Sequence, residues 1–275
     1  MNKDIFLTNS LGNKKEKFIP INPKKIGMYV CGPTVYDDPH IGNARGPVIF
    51  DVLARLLRRE FDLTYIRNIT DLDDKIYQAA DDEGVHISEV TQRYTKIYQE
   101  DMTALGVEKP DLEPLATEHI PEMIEMIQVL IDKKHAYESQ GHIFFSVETF
   151  DDYGFLSNRT EEEQISGTRI KSSEIKNNQR DFVLWKPSTG ETPGWDSPWG
   201  FGRPGWHLEC SAMAKKYLGR TLDIHGGGSD LLFPHHENEC AQSMCSHSGE
   251  PLANYWVHNG TVSYTHLTLP TNREV

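Results

Sequence analysis

His235 and Glu239 stand four residues apart in Phe233-Pro234-His235-His236-Glu237-Asn238-Glu239-Cys240. A helix starting at the proline puts this imidazole and carboxylate on one face of its first turns, which is half of a zinc site. Thiolates are the usual complement. The chain has four cysteines, Cys31, Cys210, Cys240 and Cys245, too few at this length for a disulfide scaffold and therefore available as thiols. Cys31, Cys210 and His235 each fall near the carboxyl edge of a predicted sheet, where ligand sites concentrate. Spacing leaves Cys240 and Cys245 open as donors. Each residue alone has a plainer role, as a small buried hydrophobe, a helix-packing thiol or a solvated pair.

Three further stretches could do chemistry. His40-Ile41-Gly42-Asn43 at a helix mouth offers backbone N–H groups, a glycine permitting close approach and an imidazole able to hold developing phosphate charge. Gly226-Gly227-Gly228-Ser229-Asp230, read as a loop, would let a flat nucleoside approach the backbone. Asp71, Asp73 and Asp74 could bind a cation, although acids at a helix start more commonly complement the macrodipole. Gly200-Phe201-Gly202-Arg203-Pro204-Gly205 matches GxGxxG in form only, because no strand precedes it and Pro204 lacks a donor. No Walker A or GxSxG pattern is present.

The elements that must position these groups follow an α/β rhythm. Residues 25–31 form a predicted strand closed by Gly32-Pro33. An amphipathic helix carries Val48, Val52, Leu53, Leu56 and Leu57, with irregular first turns or a start near Pro47. Residues 63–69 form a second strand, so the order is βαβ and predicts a parallel sheet with its site at the carboxyl ends. Ser88 is the expected cap of a helix ending at Leu105 before Gly106, and another helix covers 118–134. A hairpin turning at Ser139-Gln140-Gly141 interrupts the rhythm, followed by a polar segment, 157–180, and a tract rich in Trp, Gly and Pro. Helix, strand, helix and strand resume over 206–217, 221–225, 234–245 and 255–258. The expected division is therefore 1–115 and 207–260 as two halves of one nucleotide-type fold, 116–206 as an insertion, and 261–275 as a non-native tail.

With 275 residues, 37% hydrophobic and 25% charged, the chain reads as a soluble globular protein. No run approaches the roughly 18 apolar residues of a membrane span, and no signal peptide is legible, so a cytoplasmic protein with no membrane partner is expected. A net charge of -13 disfavours a whole-surface grip on nucleic acid while permitting a local basic patch.

Several long stretches resemble cysteinyl-tRNA synthetases, a class I aminoacyl-tRNA synthetase family. They are Tyr29-Val30-Cys31-Gly32-Pro33-Thr34-Val35-Tyr36-Asp37, Arg67-Asn68-Ile69-Thr70-Asp71-Leu72-Asp73-Asp74-Lys75, Pro204-Gly205-Trp206-His207-Leu208-Glu209-Cys210-Ser211-Ala212-Met213 and the run from Asp223 to Glu239. The resemblance reaches Gly260. It implies a class I nucleotide-binding, Rossmann-like α/β fold with a parallel sheet split by a connective insertion. It further implies one Zn2+ per chain on Cys31, Cys210, His235 and Glu239, Mg2+ accompanying ATP, and ATP, L-cysteine and tRNA(Cys) as partners of a monomer. His40 would be catalytic, with Gly42, Asn43, Gly226 and Asp230 around ATP and Gly32, Thr70, Trp206 and His225 around cysteine. Asn43 replaces the second histidine of the HIGH signature. The KMSKS signature and the anticodon-reading region are missing, so a C-terminally truncated chain that binds zinc and activates cysteine poorly or not at all is expected. Two other readings are the zinc-dependent cysteine ligase of mycothiol synthesis and a noncatalytic zinc-stabilised module. A thiol titration separates the second, since a structural zinc site is closed to substrate.

Overall fold

A computed structural model describes residues 4–166, 175–190 and 192–262. The expected tail at 261–275 lies outside the described residues from position 263 onward, as does part of the polar 157–180 segment.

After an N-terminal hairpin, β1 (Phe6–Asn9) and β2 (Lys14–Lys17), the strands β3 (Lys25–Val30), β4 (Asp62–Arg67), β9 (Leu222–Gly228) and β10 (Ala253–Asn259) pair in parallel in the order β10-β9-β3-β4. Register aligns Tyr255, Ile224, Met28 and Tyr65 in one row, and Trp256, His225, Tyr29 and Ile66 in the next. Because side chains alternate across a pleated strand, these rows face opposite ways. The first row packs with Phe50, Ala54 and Leu57 of α1 (Ile41–Leu57). The second shares a core with α4 (Ile120–Asp132), α6 (Leu208–Leu218) and α7 (Glu237–Ser246). His225 therefore belongs to the α6 and α7 side. Burial on both faces explains why these strands read as nearly continuous apolar runs.

Helix α1 begins at Ile41 and runs through Pro47, with neither the irregular first turns nor the start near Pro47 that the sequence suggested. The reason is a capping box at its start. His40 Nδ1 accepts the Gly42 N–H at 3.1 Å, and Asn43 Oδ1 accepts the His40 N–H at 3.0 Å, which satisfies amides that otherwise fray the first turn. One missing proline donor is the smaller loss. Helices α2 (Asp74–Glu83) and α3 (Ile87–Ala104) follow β4. His86, not Ser88, caps α3: its Nδ1 accepts the Ser88 N–H at 3.3 Å, placing the serine inside the first turn. A 3-10 turn (Ala116–His119) leads into α4.

An antiparallel sheet, β5 (Ala136–Ser139), β6 (His142–Phe145), β7 (Phe182–Pro187) and β8 (Gly202–Pro204), lies between the strand pairs in sequence. Gln140 and Gly141, with φ of 51° and 75°, form its two-residue turn, the mirror-type geometry matching strand twist. Helix α5 (Glu161–Ser166) stands between β6 and β7. The triple glycine is not the expected loop, since Gly226, Gly227 and Gly228 continue β9 and pair with Val257, His258 and Asn259. Ladder hydrogen bonding thus prevails over the low strand propensity of glycine.

Candidate metal and substrate site

Cys31 follows the last residue of β3, and its N–H donates to Gly226 O at 3.0 Å, tying the thiol to the sheet edge. Cys210 lies in the first turn of α6. His235 belongs to a turn, Leu232–His236, leading into α7, and Glu239 stands one turn later. Cys31 Sγ is 3.5 Å from Cys210 Sγ and 3.4 Å from Glu239 Oε1, and His235 Nε2 is 2.8 Å from that same oxygen. All four cysteines are free thiols.

A second donor set interpenetrates the first. Cys31 and Glu239 also converge with His225 and His236, and in either set the ligand atoms lie within 4.8 Å of one another. His225 Nε2 is 3.1 Å from Glu239 Oε2 and 3.6 Å from Cys31 Sγ. His236 is engaged differently: its Nδ1 is 2.7 Å from His258 Nε2, and its Nε2 is 4.0 Å from Glu239 Oε1. Cys240 packs Sγ against Met244 Sδ at 3.8 Å, and neither it nor Cys245 enters either set.

Electrostatics pull these groups apart. Burial, Cys210 and Glu239 hold Cys31 well above the ordinary thiol range. Burial would also raise Cys210, but hydrogen bonding with Cys31 and His235 brings it down to about 7. Glu239 is held well below the carboxylate range because His225 and His235 outweigh its burial. Burial opposes charge on His235, yet Glu239 and Cys210 push it up to about 10. Two thiols, an imidazole and a carboxylate converging in this way fit a borderline cation with tetrahedral N, O and S ligation.

Cys31, Cys210 and His235 border a cavity of about 430 Å³. Cys31, Gly32, His40, Gly42, Asn43, Thr70, Trp206, Cys210, Asp230 and His235 line it, so the structure gathers these sequence-selected residues around one space. His225, Gly226 and Glu239 are outside its lining. His225 is fully buried and stacks on Tyr29, with ring centroids 5.5 Å apart. A Cβ on Gly226 would lie 2.3 Å from Phe50, and Gly227 and Gly228 take its place at the cavity wall. The three acids do other work: Asp71 accepts from Thr117, Asp73 caps α2, and Asp74 pairs with Lys186 and Arg203.

Two residues of the site escaped the sequence reading. Asn68, fully buried, accepts the Gly32 N–H at 3.0 Å and donates to Thr70 Oγ1 at 3.2 Å. Its signal was an amide inside an apolar strand run. Glu209 accepts the Thr70 hydroxyl and lines the cavity, although an acid in a first helical turn reads most simply as macrodipole complementation.

The family profile described as "tRNA synthetases class I (C) catalytic domain" matches residues 17–267. The cysteine–tRNA ligase of Pelagibacter ubique is 57% identical over 266 residues, covering 96% of this chain and 59% of that protein. Those of Xanthomonas oryzae pv. oryzae and Parvibaculum lavamentivorans are 57% and 58% identical, covering 94% of this chain and 55% of each relative. The chain thus spans a little over half the length of these relatives. Mycobacterium tuberculosis methionyl-tRNA synthetase, in complex with methionyl-adenylate, superposes with a TM-score of 0.66 at 16% identity, covering 86% of this chain and 57% of that one. At that identity the likeness concerns the fold.

Proposed function

This chain belongs to the class I (C) tRNA synthetase catalytic-domain family, and on that premise we propose that it is the catalytic part of an enzyme activating cysteine with ATP and transferring it to tRNA(Cys). The observation that carries this reading is the convergence of Cys31, Cys210, His235 and Glu239 beside the cavity into which the His40 end of α1 opens.

Of the two donor sets, the one with Cys210 and His235 is the better zinc holder for a substrate site. Both residues line the cavity, whereas neither His225 nor His236 does, and His236 already engages His258. Cys31, Cys210, His235 and Glu239 would hold one ion per chain. A zinc ion there supplies a Lewis-acid position for a thiolate, for which the hydroxyl of serine is a far poorer ligand. A site that requires a matched polar partner can discriminate by about 10⁴ without editing.

The chain's own groups account for the phosphate side. The Gly42 amide donates to His40 Nδ1, which puts the neutral ring's proton on Nε2 as a donor to phosphate oxygen. Asn43 spends its carbonyl oxygen on the helix cap and keeps its NH₂ for ATP, so the amide in this position is compatible with nucleotide binding. In the proposed sequence the cysteine carboxylate attacks the α-phosphate and displaces pyrophosphate, whose charge Mg2+ would offset, and the terminal adenosine hydroxyl of tRNA then attacks the carbonyl carbon of the adenylate and releases AMP. Gly32 and Thr70 border the cysteine end, Trp206 walls it, and His225 supports it from beneath through Glu239. Asp230 and the glycine strand border the nucleotide end.

In this reading 1–115 and 207–260 are the two halves of the catalytic fold, 116–206 is the connective insertion, and the enzyme works as a cytoplasmic monomer. No described helix is long and apolar enough to cross a membrane. The test is cysteine-dependent ATP–pyrophosphate exchange by the full-length parent, together with metal analysis. One zinc per chain and exchange with cysteine but not serine are expected. A protein that exchanges equally with serine, or without bound zinc, overturns the proposal.

A further inference from the structure

Cysteine presents a thiol, a carboxylate and an ammonium, and the ammonium also needs a partner. Only Glu209 and Asp230 among the residues lining the main cavity carry carboxylates. Asp230 sits at the glycine strand, with Oδ1 2.3 Å from where a Cβ on Gly228 would stand. Glu209 directly precedes Cys210 in the first turn of α6, beside the thiol donors. Its position suits a group borne on the carbon next to the one that carries the substrate sulfur.

Glu209 is only 2% exposed. Its Oε1 accepts the Thr70 hydroxyl, and no Lys or Arg forms an ion pair with it among the described residues. Burying a carboxyl group calls for polar partners in the site, and complementing a helix dipole does not require burial. Thr70 Oγ1 gives its proton to Glu209 and accepts from Asn68 Nδ2 at 3.2 Å, leaving one lone pair for a further donor. An ammonium carries three donors and no acceptor, which suits two adjacent oxygen acceptors.

We infer that Glu209, together with Thr70, receives the α-ammonium of the substrate and makes the site select an amino acid over a simple thiol. The assignment rests on the reading of this cavity as a cysteine site. Glu209 is thereby a specificity-determining residue in contact with substrate, distinct from the metal donors.

The test compares cysteine with 3-mercaptopropionate, which keeps thiol and carboxylate but lacks the amino group, by calorimetric titration of the zinc-loaded protein. Wild type is expected to prefer cysteine by about 10- to 100-fold, the range of a hydrogen bond to a charged group. Glu209→Gln is expected to bring that ratio close to one while zinc content and 3-mercaptopropionate affinity stay unchanged. Glu209→Asp, which keeps the charge, should recover part of the preference. Equal wild-type affinities, or a Glu209→Gln protein that retains zinc and keeps the full preference, overturn the assignment and leave the cysteine-site reading standing. Failure of wild type to bind either thiol overturns that reading and the assignment with it. The wild-type ratio is decisive even if the amide variant does not fold.

Discussion

Cys31 Sγ lies 3.5 Å from Cys210 Sγ although 179 residues separate them, and Glu239 Oε1 approaches Cys31 Sγ at 3.4 Å. The site therefore depends on the sheet edge, α6 and α7 being docked together. Replacing either thiol by serine should lower zinc affinity by more than the roughly 10- to 100-fold typical of losing a supporting neighbour. Zinc per chain, measured by atomic emission after dialysis, checks this. Chelating the metal should lower the melting temperature of wild type and leave Cys31→Ser nearly unmoved, because only a protein that binds the ion loses linkage stabilisation.

His40 both caps α1 and faces the cavity, and substitutions separate these tasks. His40→Asn keeps a good capping side chain, whereas His40→Ala loses the cap, at a cost of about 1 kcal/mol. Both should reduce cysteine-dependent exchange by the full-length parent by roughly 10²- to 10³-fold, the loss expected for a donor to developing charge. Thermal melts should show His40→Asn close to wild type and His40→Ala lower. Full exchange activity in His40→Asn would remove the imidazole from the mechanism.

Gly32 is bound by sterics as well as by its place in the site. A Cβ there would lie 1.6 Å from Asn68 O, a backbone atom with little freedom to yield. Gly32→Ala should destabilise the fold by about 3 kcal/mol or more, the scale of overpacking with backbone displacement. Gly190→Ala, where nothing lies within 4 Å of the added carbon, should be within about 0.5 kcal/mol of wild type. Urea titration of both variants distinguishes them.

His247 gives a pH dependence away from the candidate metal site. It is 3% exposed, and burial, reinforced by Lys215 and Arg220 against the opposing Glu250, lowers it from its ordinary 6.5 to about 4. The folded protein keeps the ring neutral while the unfolded chain takes up a proton below about 6.5. The stability contribution is therefore complete above that pH and declines as pH falls toward about 4, at up to about 1.4 kcal/mol per pH unit. His247→Gln should flatten the stability profile across this window, as read by denaturant titration at several pH values. An unchanged slope would show that His247 does not control it.

The βαβ order around β3, α1 and β4 was legible because buried parallel strands leave apolar runs and α1 leaves a helical period. Cys31, Cys210, His235 and Glu239 were legible as candidate donors because their residue types announce metal chemistry, but residue type and spacing left Cys240 and Cys245 beside them, and it was the resemblance that implied the set of four. Less visible were features whose cause is not periodic. Capping at His40 carried α1 back to Ile41 through Pro47, and His86 displaced Ser88 because side-chain geometry, not capping preference alone, selects the cap. The glycines after His225 were read as a loop since local propensity does not report a neighbouring strand, and pairing with β10 holds them extended.

By itself the amino-acid sequence determined the parallel α/β class, the stock of thiols, imidazoles and carboxylates, and the helix mouth at His40, because composition and spacing are properties of the chain alone. Only the tertiary structure decided which donors meet. Register puts His225 in the row with Tyr29 and beneath Glu239, creating a second donor set invisible in spacing. Docking of α6 turns Glu209 from an ordinary first-turn acid into a buried carboxylate against Thr70. Those outcomes depend on pleat direction and on packing between elements more than a hundred residues apart in sequence, which no local pattern encodes.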